Sequence, residues 1–326
     1  MIVSRTPLRI SLAGGGSDLP SFYTKSEGSV VSFTINKHVY IVCHSLYSGG
    51  IRLSYSRSEF VQDTSQIVHP LFRESLAHLG LRQSIEIGSF ADVPSSGTGL
   101  GSSSAFTVGL LHAVAKFTGR NTSAHELAEM ACDVELNRCK EPIGKQDQFA
   151  AAYGGINHFK FLADDRVLVN KLSSETVVGF LESTLMLFDL GSSRKANEVL
   201  FRQNQAMEES DSYSLVRGIR NLVDPMINAI KSEDLNGMAL ILNESWSLKR
   251  KITSGISNEF IDELHSLAMN CGALAAKVLG AGGGGFLLVV LEPGRKLDFC
   301  QRFTILRELP FKISQQGSTI IFSDEV

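Results

Sequence analysis

The stretch Asp92–Gly119, DVPSSGTGLGSSSAFTVGLLHAVAKFTG, sets Gly97, Gly99 and Gly101 directly ahead of Ser102, Ser103 and Ser104, and an apolar helix follows. Phe106, Val108, Leu110, Leu111, Val114 and Phe117 cover too much of its circumference for a surface helix, so it is expected in the interior. Glycines at the mouth of a buried helix admit two readings. One is a hinge between elements. The other is an anion site, because a helix amino terminus presents unpaired N–H groups and about half a positive charge. Glycines let a phosphate approach the backbone, and hydroxyls can bind phosphate oxygens or Mg²⁺. The stretch lacks the lysine of GxxxxGK[ST] and does not fit GxGxxG, so the standard P-loop and Rossmann readings both fail.

Outward from this stretch the chain reads as strands that cluster instead of alternating with helices. SIEIGSF, just upstream, alternates, as does LRISLAG near the start; SVVSFTINKHVYIVCHSLY is a long β-branched run. GGIRLSYSRSEFV follows the Gly49-Gly50 turn as its expected hairpin partner. Downstream, Ser123 and Glu126 form a capping-box pattern opening a helix with Leu127, Ala131 and Val134 on its buried face. INHFKF, RVLVNKL and STLMLFDLG are further strands, and Arg194 to about Asn270 is mostly helical, with Pro225 and Gly255 as breaks. GALAAKVLGAGGGGFLLVVLEP reads as helix, glycine run, strand, and LPFKIS and STIIFS as strands about a tight QQG turn. The class is α+β. Two domains are expected, 1–175 and 176–326, with a soft boundary between Lys171 and Ser183.

Bulk properties narrow the function. A hydrophobic share of 43% and a charged share of 20% are those of an ordinary soluble protein, and a net charge of −3 gives no reason to expect nucleic acid or an anionic membrane as partner. Cys43, Cys132, Cys139, Cys271 and Cys300 are scattered without a CxxC pair, so no disulfide framework or zinc knuckle is indicated. The opening MIVSRTPLRISLAGGG is not a signal peptide, and no apolar run is long enough to span a membrane; the expected location is the cytoplasm. HELAE at His125 lacks the second histidine of HExxH, and no GxSxG occurs.

Two other glycine clusters bear on the choice. GAGGGG, Gly280–Gly285, fits GxGxxG by letter but follows helical text and opens a strand, the reverse of a dinucleotide fingerprint. RTPLRISLAGGGSDLP ends a strand with Gly14, Gly15 and Gly16 and leads to Asp18.

Together, PLRISLAGGGSD, PSSGTGLGSSSAFTVGLL and KVLGAGGGGFLLVV resemble the three signature motifs of the GHMP kinases, in order and across nearly the whole chain. Within that family the first motif is most similar to sugar-1-kinases acting on D-glycero-D-manno-heptose 7-phosphate, and next to L-fucose kinase domains. Gly14-Gly15-Gly16 stands where galactokinases carry GEH, which argues against galactose. The resemblance implies a ribosomal-protein-like α+β amino-terminal domain and a ferredoxin-like carboxy-terminal domain, with ATP and substrate meeting between them.

It also implies roles. The loop Ser96, Gly97, Thr98, Gly99, Leu100, Gly101, Ser102, Ser103 and Ser104 would wrap the ATP phosphates. Asp147 would take the substrate hydroxyl proton, with Arg9 paired to it, and Lys145 would stabilise transferred charge or a substrate phosphate. Ser103 and Glu135 would hold Mg²⁺, with Ser102 as the alternative to Ser103. Asp18, Gly15, Gly16 and Gly283 would bind the sugar, and Arg194 and Lys195 are candidate cations for its remote phosphate. The expected partner is a small sugar phosphate, with a homodimer left open. The readings kept beside the heptose-phosphate kinase are a fucose-type kinase, an isoprenoid-precursor kinase and a catalytically silent sugar sensor.

Overall fold

The computed structural model describes residues 1–82, 84–94, 97–191, 199, 201–202 and 210–324. Its strands in chain order are β1 (Ile2–Ala13), β2 (Gly28–Ser45), β3 (Ile51–Ser54), β4 (Ser58–Val61), β5 (Ile85–Ala91), β6 (Ile156–Phe161), β7 (Val167–Lys171), β8 (Leu185–Gly191), β9 (Ala275–Val278), β10 (Gly285–Val290), β11 (Arg307–Glu308) and β12 (Thr319–Ser323). The β-branched run of β2 is the spine of the larger sheet. β1 pairs with it antiparallel from Ile2 opposite Cys43 to Ala13 opposite Val31. On its other edge the first half of β2 pairs with β6 and the second half with β5. The sheet runs β12-β1-β2-β5-β3-β4, with β6 and β7 beside the first half of β2. The smaller sheet is β11-β8-β10-β9, all antiparallel.

The glycine-led helix Ser102–Phe117 lies across β1 and β2 and is buried on most of its circumference, as its composition requires. Its close approach to β1 depends on Gly109, whose carbonyl accepts a hydrogen bond from Ser4 Oγ at 2.8 Å. The next helix, Ala124–Cys132, starts at the expected capping box: Ser123 Oγ accepts from Glu126 N–H, and Glu126 accepts from Ser123 N–H.

The smaller sheet is buried on both faces, which is why FLLVVL reads as an unbroken apolar run. Phe286, Leu288 and Val290 of β10 join the core under the larger sheet. Leu287 and Val289 point the other way, into a second core with Trp246, Phe299 and Phe303. Among the described residues no helix is long and apolar enough to cross a membrane.

Four local expectations are corrected. ALAAKV is not helical: the helix Glu259–Asn270 ends before Gly272, and β9 pairs with β10 from Ala275 opposite Val290 to Val278 opposite Leu287. Tertiary pairing overrides the helix preference of alanine there. Ile51–Ser54 is not the hairpin partner of β2; β5 is inserted between them, and β3 pairs with β5 in parallel. STIIFS does not pair with LPFKIS. It returns as β12 to the edge of β1, while Ile313 makes a single bridge to Ile35. Finally, residues Glu175–Thr184 ahead of β8 form a helix that the strand text concealed.

Gly109→Ala tests the packing of the buried helix. Alanine ordinarily favours a helix over glycine by about 1 kcal/mol. Here the added Cβ would lie 2.7 Å from Thr6 Oγ1, so the substitution is expected to destabilise, by about 1–3 kcal/mol. Urea denaturation reads the sign, and a stabilised variant would contradict this close contact.

Candidate active site

The middle glycine loop is shaped by three left-handed residues. Gly97, Gly99 and Gly101 have φ of +73°, +71° and +74°, a region that side chains disfavour. Gly101 is the N-cap of the helix Ser102–Phe117, whose first-turn N–H groups have no partner within the helix. The third glycine stretch packs onto this loop backbone against backbone. A Cβ on Gly99 would lie 2.5 Å from the Leu279 carbonyl oxygen, one on Gly280 would lie 2.3 Å from Gly99 Cα, and one on Gly285 would lie 2.5 Å from the Thr98 carbonyl oxygen. The GAGGGG turn is therefore a close-packed support for the middle loop.

Arg9 and Asp147 meet beside that loop. Arg9 donates from Nε to Asp147 Oδ1 at 2.6 Å and from Nη2 to Oδ2 at 2.7 Å, a bidentate pair, while Nη1 donates to the Gly99 carbonyl at 2.5 Å. The Arg9 backbone N–H donates to the Leu100 carbonyl at 3.0 Å. Arg9 thus ties the aspartate and the loop to β1. A Cβ on Gly101 would lie 3.2 Å from Asp147 Oδ2, so the carboxylate sits against the start of the buried helix. Asp147 lies in the first turn of the helix Gln146–Tyr153.

Asp18 is nearly fully buried and accepts hydrogen bonds from the Gly16 N–H (3.0 Å), the Gln146 N–H (3.3 Å) and Gln146 Nε2 (3.2 Å). Burial, with the charge of Asp147 second, pushes its carboxyl up to about 6. Gly144 makes room for it: a Cβ there would lie 1.9 Å from Asp18 Oδ2.

Glu135, on the π-helical turn Asp133–Arg138, is fully buried behind the loop. It accepts from Ser103 Oγ at 3.1 Å and from Gln148 Nε2 at 2.6 Å. Ser102 Oγ is instead hydrogen-bonded with Thr98 Oγ1 at 2.8 Å, so of these two serines Ser103 is the one that bonds Glu135. Burial pushes the Glu135 carboxyl up to about 7, against the hydrogen bonds from Ser104, Gln148 and Ser103. A buried carboxylate that has no cationic partner among the described residues, with a hydroxyl of the glycine loop beside it, suits a hard divalent cation. Among the described residues no cluster of three His, Cys, Asp or Glu offers a self-contained metal cage. Magnesium does not need one, since it takes one or two protein oxygens and completes its shell with waters and phosphates.

These groups line or back one cleft of about 670 Å³. Tyr55, His69, Phe72, Phe90 and Phe106 line one end, with Phe72 and Phe106 edge-on at 4.9 Å. Asp18, Gly15, Gly16, Gly144, Gln146, Ser245, Lys249 and Lys277 also line the cleft. Thr98, Ser102, Ser103 and Ser104 lie on the wall with the loop glycines.

Three expected site residues are placed elsewhere. Lys145 donates to Asp165 Oδ1 at 2.8 Å and sits over the Tyr23 ring at 5.0 Å, so its ammonium is tied up off the cleft. Leu100 is core, contributing its backbone carbonyl to Arg9. Gly283 donates its N–H to the Ile256 carbonyl behind the turn, whereas Gly280, Ala281, Gly282 and Gly284 line the cleft. Ser96, Arg194 and Lys195 lie outside the described residues. Missed by sequence reasoning were Gln146, Ser245, Lys249, Lys277 and the aromatic end. Gln146 could have been suspected from its place beside Asp147; the lysines read as ordinary residues of a helix end and an apolar run.

A family model for the GHMP kinases N terminal domain matches residues 66–155, and one for the GHMP kinases C terminal matches 226–303. The chain belongs to the GHMP kinase family. As a GHMP kinase it is an ATP-dependent phosphotransferase with the two-domain α+β fold of that family. Over 310 residues, 91% of either chain, this kinase is 29% identical to the D-glycero-alpha-D-manno-heptose 7-phosphate kinase of Campylobacter jejuni. It is 24% identical to the bifunctional fucokinase/GDP-fucose pyrophosphorylase of Arabidopsis thaliana over 89% of its own length and 30% of that protein's. A crystal structure of a D-glycero-D-manno-heptose 1-phosphate kinase from Bacteroides thetaiotaomicron superposes with a TM-score of 0.80 at 27% identity, covering 100% of both chains.

Glu135→Gln separates stability from metal use in this GHMP kinase. A carboxyl whose pKa is raised by folding loses stability as pH climbs from its unfolded value of 4.5 to about 7. Without nucleotide or metal, the stability advantage of the glutamine variant should therefore grow across that window and level off above it. Thermal melts across pH check this. Titration of Mg²⁺ at saturating ATP should show a raised metal requirement in the same variant and in Ser103→Ala. Unchanged curves in both would remove Ser103 and Glu135 from metal binding.

Proposed function

We propose that this kinase transfers the γ-phosphoryl group of ATP to the anomeric hydroxyl of D-glycero-D-manno-heptose 7-phosphate. The product would be the 1,7-bisphosphate, an intermediate on the way to nucleotide-activated heptose. The observation that carries the reading is Asp147, held by both oxygens on Arg9 and set against the amino terminus of the helix that the glycine loop opens. Supporting it are the 29% identity to the heptose 7-phosphate kinase and the TM-score of 0.80 to the heptose kinase structure. Thr98, Ser102, Ser103, Ser104 and the loop amides are suited to the ATP phosphates, and the aromatic end of the cleft to the adenine.

In the transfer, the sugar O1 forms a bond to the γ-phosphorus as the bond from that phosphorus to the β–γ bridging oxygen breaks, and ADP leaves. Asp147 receives the O1 proton, and its fixed geometry aligns the hydroxyl for attack. Arg9 restrains the carboxylate by two contacts, so lysine would be a poor substitute. Asp18 accepts from sugar hydroxyls, and Gln146 Oε1, buried with no partner among the described residues, offers a second acceptor. Ser103 and Glu135 would hold a magnesium ion, which neutralises charge on the phosphates when bound. We place the reaction in the cytoplasm and assign the loop and base to residues 1–175, with 176–326 closing the cleft.

The similarity to a fucokinase keeps an unphosphorylated sugar as the competing acceptor. A silent sugar sensor would have no need of Arg9, Ser103, Glu135 and Asp147 in this arrangement.

Asp147→Asn keeps the shape of the side chain and removes the base. Turnover of heptose 7-phosphate, followed by ADP release, should fall by about 10²–10⁴-fold while calorimetry shows ATP binding retained. Near-normal turnover with intact ATP binding would remove Asp147 from proton transfer.

A further inference from the structure

Two lysines line the cleft without a role in the loop or in the Arg9–Asp147 pair. Lys249 ends the helix Leu235–Lys249, and Lys277 lies on β9, so they reach one wall from separate elements. Lys277 is 7% exposed, and among the described residues its ammonium donates only to backbone carbonyls, those of Ser11 at 3.2 Å and Leu12 at 3.1 Å. Lys249 donates to the Gly280 carbonyl. Among the described residues neither forms an ion pair. An ammonium has three donors, so two remain on Lys249 and one on Lys277.

Unpaired buried cations are costly unless an anion compensates them. The cost is visible here. Burial first, then repulsion from Lys249 and Arg9, pulls Lys277 down to about 7. Burial and Arg9 pull Lys249 down to about 8, with Asp18 opposing. Among the described residues Asp18 is close enough to oppose the shift of Lys249, but no carboxylate pairs with either ammonium, which leaves both open to an anion. Ser245, buried and one helical turn before Lys249, lines the same wall and adds a hydroxyl.

We propose that Lys249 and Lys277, with Ser245, form the subsite for the phosphate that the acceptor sugar already carries. This rests on the reading of the acceptor as a sugar phosphate. A dianion held at this wall, together with Asp18 and Gln146, fixes the sugar at two points and turns remote binding energy into orientation of the reacting hydroxyl. The subsite is made of residues far apart in the chain, which explains why no basic motif announced it.

The test is the ratio of kcat/KM for D-glycero-D-manno-heptose 7-phosphate to kcat/KM for the same heptose without phosphate. It is measured in the parent, in Lys249→Met and in Lys277→Met, with binding of a nonhydrolysable ATP analogue as the folding control. Lys277 also anchors Ser11 and Leu12, so Lys249→Met is the variant that keeps the test open if Lys277→Met misfolds. The parent is expected to prefer the phosphorylated sugar, and each variant to lower that preference about 10- to 100-fold, the worth of a hydrogen bond to a charged group. A parent preference that survives both substitutions overturns the subsite and leaves the sugar-phosphate reading standing. Equal losses on both sugars overturn it too, and assign the lysines to the transferred phosphoryl group. A parent with no preference ends the sugar-phosphate reading, and this subsite with it.

Discussion

The contact on which the site depends is that of two glycine turns touching without side chains. Gly97–Gly101 leads into the buried helix, and Gly280–Gly285 joins β9 to β10 of the other sheet. The approach of Gly280 to Gly99, and of Gly285 to Thr98, leaves no room for a Cβ on Gly99, Gly280 or Gly285. This contact sets the smaller sheet against the larger one at the mouth of the helix. It also places the Gly99 carbonyl where Arg9 can reach it, so the arginine that holds Asp147 is registered to the glycine loop. A glycine-rich stretch that admits a hinge reading in sequence is packed backbone against backbone in the fold.

Electrostatics then divides the cleft into groups that are complete and groups that are not. Arg9 and Asp147 satisfy each other through two short hydrogen bonds. Asp18 and Glu135 are buried carboxyls pushed toward protonation, and Lys249 and Lys277 are lysines pushed toward neutrality. Such frustration is typical of functional sites, where a ligand supplies the missing partner. The proposed reaction would supply each of these groups with a complement: sugar hydroxyls for Asp18, a divalent cation for Glu135, and a phosphate for the lysines.

Much of this was legible in the sequence, for reasons that differ from residue to residue. The loop could be read because glycine, serine and an all-round apolar helix are each demanded by local physics. Asp147 and Glu135 came through the family resemblance, on short segments carrying a recognisable pattern. Ser103 was separated from Ser102 only by the hydrogen bonds each makes. The third glycine run was misread upstream, since a four-residue strand that opens with Ala275-Ala276 carries no strand signal until β10 lies beside it. Lys145 looked catalytic by its nearness to Asp147 in the chain, yet residues two positions apart at a helix start point in different directions, and Asp165 takes its charge. Lys249 and Lys277 were invisible because their meaning lies in burial and convergence.

The central claim, phosphoryl transfer to the anomeric oxygen of a sugar that already bears a phosphate, is tested most directly by the proton-coupled phosphorus NMR spectrum of the product formed from ATP and D-glycero-D-manno-heptose 7-phosphate. Two sugar phosphate resonances are expected: the original one, split by the two protons on C7, and a new one split by the single anomeric proton. A product with no new sugar phosphate resonance, or with a new phosphate not coupled to the anomeric proton, would contradict it.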